Sequence, residues 1–178
     1  MTDHKMEIKY REGNINDLNS LKNLAVKSWG QFRGELTSHN WEKLYDTLNN
    51  DNTYVELLDK SRCFVCTTDK EEIIGMAFLV PSGNPTEIYD SKWCYIRFVS
   101  VDPAHSGHGI GRRLTEHCIA LAKEKGEKRI ALHTSEIMEK ARHIYESLGF
   151  KILKEIDQRL GKRYWVYTLN IDPEKDKT

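Results

Sequence analysis

The chain has 178 residues, enough to bury a substantial core as one domain, and its 27 basic residues balance 27 acidic ones. Zero net charge without a basic block argues against a dedicated binder of nucleic acid or of an anionic membrane. No window approaches a membrane span, the first residues form no apolar signal core, and four cysteines make no disulfide framework, so the expected setting is the cytoplasm.

Residues 7–11 alternate apolar and polar and predict a first strand. Asn16 or Asp17 can cap a helix carrying Leu18, Leu21, Leu24 and Ala25, which Gly30 ends. Ser38 or Asn40 can cap a second helix with Trp41, Leu44, Tyr45 and Leu48, and a short helical piece is expected around 54–58. Residues 63–67 and 73–80 read as an antiparallel pair around the turn 68–72. A loop with Gly83, Asn84 and Pro85 leads to Trp93, where aromatic and β-branched residues predict a buried central strand.

Glycines at 107, 109 and 111 follow, and then Leu114, Cys118, Leu121 and Ala122 recur at helical spacing up to Gly126. The next strand is expected over 129–133. Ser135 is expected to cap a helix with Ile137, Ala141, Ile144, Tyr145 and Leu148 on one face, closed by Gly149. Strands over 151–156 and 164–171 complete the pattern. A single domain over 1–172 then gives way to a charged, frayed tail at 173–178. The order predicts an α/β (α+β) fold: a mixed central sheet of about six to seven strands flanked by helices.

A strand that feeds a glycine-rich turn opening a helix is a candidate phosphate site. Glycine lets the backbone approach a ligand closely, and the free N–H groups of a helix start attract anionic oxygens. Arg112 and Arg113 stand in the first helical turn, where the macrodipole favours acids, so an anionic ligand is expected. No Lys-Ser or Lys-Thr follows the glycines, which excludes a P-loop. The dinucleotide fingerprint fails as well, because its last position falls on Arg112 or Leu114.

Val101-Asp102-Pro103 followed by Ser106-Gly107-His108-Gly109-Ile110-Gly111 resembles the pyrophosphate loop of the Gcn5-related N-acetyltransferases. That loop reads Arg/Gln-x-x-Gly-x-Gly/Ala after a strand ending in Val-x-Pro; Ser106 departs from its first position. Ala141, Tyr145, Gly149 and Phe150 are similar to the family's Ala-x-x-x-Tyr-x-x-x-Gly-Phe signature, at the family's distance from the loop. The resemblance covers residues 73–150. It implies an acyl-CoA N-acyltransferase fold, acetyl-CoA as cosubstrate without a metal, and acetyl transfer to a primary amine of a small molecule. It also makes a homodimer possible.

The resemblance implies that backbone groups of Val99, Ser100 and Val101 hold the pantetheine arm. The N–H of Val99 would polarise the thioester carbonyl. Residues Ser106, Gly107, His108, Gly109, Ile110, Gly111 and Arg112 would hold the pyrophosphate. Tyr145 has two readings, a core tyrosine or the general acid for the departing thiolate, and the whole signature favours the second. Tyr95 stands near the glutamate that serves as base in several branches and is no base at neutral pH. His133 matches the position used in other branches and can titrate in the required range, although an ordinary strand histidine fits equally well. Glu87 is a looser candidate, water another. The family's frequent Asn on the tyrosine helix is Met138 here.

Cys63 and Cys66 lie three apart on a predicted strand, on opposite faces, which suits no shared metal. Two other functions remain open: a non-catalytic acyl-CoA sensor, and an enzyme that acetylates a peptide or protein.

Overall fold

The computed structural model describes residues 7–171; the expected frayed tail and the first six residues lie outside that range. The chain opens with β1 (Ile8–Gly13), then α1 (Leu18–Gly30), α2 (Ser38–Leu48) and α3 (Asp51–Lys60). The strands β2 (Arg62–Thr68), β3 (Ile73–Val80) and β4 (Cys94–Val101) follow, then α4 (Ile110–Glu124), β5 (Arg129–Ser135) and α5 (Glu139–Ser147). A hairpin of β6 (Lys151–Arg159) and β7 (Lys162–Asn170) ends the fold. All seven strands form one sheet in the order β1-β2-β3-β4-β5-β7-β6, with β4 and β5 parallel and the other pairs antiparallel. Among the described residues no helix is long and apolar enough to cross a membrane.

Strand alternation gives the sheet two apolar faces, and each face is covered by helices. One cluster joins Ile74, Ala77, Leu79, Ile96 and Leu132 to α4 residues Ile110, Leu114 and Cys118 and to Tyr145 of α5. The other joins Val65, Met76, Phe78 and Tyr95 to Leu21 and Leu24 of α1 and to Tyr54 and Leu57 of α3. Cys66 falls in the first cluster and Cys63 in the second, as their spacing predicts. All four cysteines are free and buried.

Helix starts differ from expectation in four places. Asp17 stands at the N-cap of α1, but its side chain makes no capping bond to that helix. Thr37 caps α2 through its side chain to the Asn40 N–H, so the helix begins one residue after that threonine. The piece around Tyr54 is a full ten-residue helix, capped by Asn50. Ser135 caps nothing: it is the last residue of β5, paired with Tyr164 of β7, and α5 starts only at Glu139.

Gly75 on β3 is where α4 sits down on the sheet. A Cβ there would lie 2.6 Å from Cγ2 of Ile110 and 3.0 Å from Cδ1 of Leu114. Gly75→Val is therefore expected to lift the first turn of α4. Overpacking of this kind costs about 2–3 kcal/mol and should lower the melting temperature by roughly 5–10 °C, which thermal denaturation checks.

Candidate functional site

The sheet is split at its centre. β4 and β5 share two rows, Cys94 with Ile130 and Tyr95 with Ala131. Beyond them the strands part, and among the described residues no strand pairs with residues 96–101 on that side. The cause lies on the opposite edge of β4. Met76 pairs with Ser100 and Phe78 with Arg97, so Ala77 alone opposes both Phe98 and Val99. Such a bulge bends the strand and increases its twist.

Phe98 adopts a φ of 53° in that bulge. A bulky side chain rarely takes this left-handed conformation, which costs on the order of 1–2 kcal/mol. Packing holds it there: its ring lies 6.0 Å from that of Tyr54 and 6.3 Å from that of Phe78. Strain maintained by surrounding packing is a mark of functional sites. Val99 and Val101 are half-buried along the open edge, whereas Ser100 is buried and donates to the Phe98 carbonyl at 3.1 Å.

The glycine loop stands at the end of this edge. Asp102 orders its start by accepting from the Ala104 N–H at 3.0 Å. Gly107 and Gly109 have φ of 85° and 69°, and a Cβ on either would meet nothing within 4 Å. Gly109 precedes α4 without any side-chain cap, so the leading N–H groups of a fifteen-residue helix keep no intrahelical acceptor. Ser106 and His108 are exposed beside them. A Cβ on Gly111 would sit 3.6 Å from Cγ2 of Val101 and 3.7 Å from Cδ1 of Ile144, so β4, α4 and α5 converge at this glycine. Arg112 donates to Oγ of Ser147 at 2.7 Å and ties the first turn of α4 to the end of α5.

Tyr145 lies on α5, which packs on both α4 and β5. Its ring is buried beside Phe150, with centroids 5.9 Å apart, and its hydroxyl makes no hydrogen bond to another described residue. Burial, with a smaller contribution from Cys118, raises its pKa well above the ordinary tyrosine value. The side chain is thus a protonated donor at neutral pH.

His133 lies across the gap on the other face of the sheet. Its Nδ1 is 2.5 Å from the Tyr89 hydroxyl, and Tyr89 stacks on Tyr95 at 4.1 Å between centroids. The ring of Tyr164 lies 6.0 Å away. Burial, reinforced by Arg97 and Arg159, pushes the imidazole down to about 3. Glu87 is exposed on the same loop, and Tyr89, not Glu87, contacts the histidine. Met138 accepts from Oγ1 of Thr134 through its sulfur at 3.3 Å.

A histidine held neutral in the fold gives stability a direction with pH. Between its ordinary value of 6.5 and about 3, the unfolded chain binds the proton and the folded chain does not. Stability should therefore fall as pH drops through that window, by up to about 1.4 kcal/mol per unit. His133→Gln is expected to flatten this limb when urea midpoints are compared between pH 7 and 4. Parallel curves would mean that His133 titrates normally.

The chain's own features fit a thioester of coenzyme A. An unpaired strand edge can pair with amides, two open glycines can admit a pyrophosphate, and uncapped helix N–H groups can hold its oxygens. Sequence reasoning overlooked Tyr89, Tyr164 and Arg97. Arg97 alone had a visible signal, as the one cation inside an otherwise apolar strand.

A sequence model of the Acetyltransferase (GNAT) family matches residues 19–150. The chain belongs to this family. Human N-acetyltransferase 8B is 32% identical over 101 residues, covering 57% of this chain and 44% of that protein. The chain thus spans less than half the length of that curated relative. Among solved structures, PaiA N-acetyltransferase from Thermoplasma acidophilum in complex with coenzyme A superposes with a TM-score of 0.75 at 17% identity, covering 93% of this chain and 99% of that one. The ribosomal-protein-S18-alanine N-acetyltransferase of Escherichia coli gives 0.68, also at 17%, covering 93% and 95%. At that identity both structures establish the GNAT fold.

Proposed function

We propose that this GNAT protein transfers an acetyl group from acetyl-CoA to a primary amine of a small molecule, by direct attack within a ternary complex. The observation that carries this reading is the split between β4 and β5, open at the strained bulge and running into an uncapped glycine turn. Human N-acetyltransferase 8B and the coenzyme A complex of PaiA support its acetyltransferase and coenzyme A part.

Acetyl-CoA, when bound, supplies an activated acyl carbon and a thiolate that can leave. Val99 and Val101 would extend the sheet to its amides by main-chain bonds. The Val99 N–H, at the bulge, would donate to the carbonyl oxygen where negative charge develops. The N–H groups from Gly107 to Arg112 would hold the pyrophosphate, and the exposed Ser106 and His108 would flank it. Tyr145 would give its proton to the sulfur. His133, kept neutral, is suited to orient the attacking amine by a hydrogen bond, with the amine's proton passing to water. The burial that keeps His133 neutral also disfavours an ammonium ion beside it. No side chain forms a covalent bond, so most of the rate would come from positioning. Four unpaired thiols suit a reducing compartment, and we place the activity in the cytoplasm.

Calorimetric titration with acetyl-CoA, and with NAD and ATP as controls, tests the reading. Binding of acetyl-CoA alone is expected, followed by thiol release when amines are added. A folded sample that does not bind acetyl-CoA would overturn it. Tight binding without thiol release from amines, amino acids, polyamines or peptides would make the protein a sensor.

A further inference from the structure

The face of the sheet opposite Tyr145 carries an arrangement that acetyl transfer to a simple amine does not use. Arg97 of β4 lies on the face of Tyr95, and that face also carries Tyr89, His133 and Tyr164. It is half-buried, yet among the described residues it forms no ion pair and no side-chain hydrogen bond. The ring of Phe98 lies beside it, 5.3 Å from the guanidinium carbon. A guanidinium drawn partly out of water without a carboxylate is costly unless something else supplies the anion.

A second, exposed arginine acts on the same groups. Arg159 closes β6 and, like Arg97, lacks an acidic partner among the described residues. The fields of the two arginines converge: Tyr89 and His133 feel both, Tyr95 feels Arg97, and Tyr164 feels Arg159. No carboxylate is among the main influences on these four groups. This local excess of positive charge stands in a chain whose net charge is zero. It also lies next to the reacting centre, because Arg97 is two residues from Val99 and the chain between them spans about 7 Å at most.

We propose that the acceptor is an amine that carries its own carboxylate, an amino-acid-like molecule, and that Arg97, assisted by Arg159, grips that carboxylate while the amine points at the bulge. This rests on the acetyltransferase reading above. The glycine loop and Tyr145 belong to the face covered by α4 and α5, which leaves the Arg97 face for the acceptor. A guanidinium binds a carboxylate through two parallel hydrogen bonds, which fixes orientation as well as affinity. Such a grip would aim one amine of the acceptor at the thioester and reject amines without an anion.

Matched acceptors test the inference. Free α- and ω-amino acids, their carboxamides, the corresponding decarboxylated amines, aminoalkyl phosphates and short peptides are offered with acetyl-CoA, and thiol release is followed. At least one amino acid is expected to exceed its carboxamide by about 30-fold or more in kcat/KM, because a site built for a charged group leaves that site unpaired with the amide. Arg97→Gln should collapse this ratio towards one, mainly through KM for the acid. Arg97→Lys, which keeps the charge but loses the fork, should retain part of it, and Arg159→Gln should weaken it less. Acids and amides used equally, or an unchanged ratio in Arg97→Gln, would overturn the inference. So would preference for phosphates or for peptides, or failure of every carboxylate-bearing amine while calorimetry still registers acetyl-CoA. Loss of acetyl-CoA binding in the wild-type protein would instead overturn the acetyltransferase reading, and this inference with it.

Discussion

Gly109→Trp is expected to abolish measurable acetyl-CoA binding, a loss of about 100-fold or more, while the protein stays folded. Gly109 has a φ of 69°, and its Cβ direction opens onto free space at the uncapped start of α4. An indole there would occupy the volume in which a pyrophosphate must meet the helix N–H groups. The left-handed backbone adds a strain of roughly 1–2 kcal/mol, which lowers the melting temperature by about 3–8 °C. Gly126 provides a matched control at the other end of the same helix. Its φ is 75° and a Cβ there also meets nothing within 4 Å. Gly126→Trp should show the same thermal loss with unchanged affinity. If both variants bind acetyl-CoA as tightly as the parent, the loop does not hold the pyrophosphate.

Tyr145→Phe should lower kcat by about 100-fold with KM for acetyl-CoA within about threefold, and without loss of stability. The leaving thiol resembles a cysteine in acidity, ~8.5, so help from a general acid falls at the lower end of its usual range. Burial keeps the Tyr145 hydroxyl protonated, and that hydroxyl bonds to no described residue. Removing it therefore sacrifices no hydrogen bond of the fold. A tyrosine of purely structural use would leave kcat unchanged, because the phenyl ring that packs against Phe150 is still present. Steady-state kinetics and a thermal melt, run together, separate the two roles.

Several features of this protein are local and were legible in its residues. Glycines at 107 and 109 before a helical repeat permit positive φ, and the start of a helix leaves its first N–H groups without intrahelical acceptors wherever the segment sits. The helices, the strands and the opposite facing of Cys63 and Cys66 follow from periods of 3.6 and 2 in the same way. Gly149, with a φ of 100°, ends the tyrosine helix as its position predicts.

Other features depend on which strand lies beside which, and no local pattern encodes that. Ser135 has the chemistry of a helix cap, yet seven paired rows between β5 and β7 hold it in the ladder, and pairing outweighs a cap's contribution. The single-residue mismatch between β3 and β4 exists only once they pair, and from it come the twist at Phe98 and the opening beside β5. His133 is an ordinary imidazole in the sequence; burial against Tyr89, with Arg97 and Arg159 brought in from β4 and β6, lowers its pKa far below the ordinary value. The sequence by itself determined the family, the glycine turn and the tyrosine helix, because each is written within a short segment. Only the tertiary structure decided where the sheet opens, which histidine has its pKa lowered and that Arg97 lies half-buried without an acidic partner among the described residues, because burial and charge are set by residues far apart in the chain.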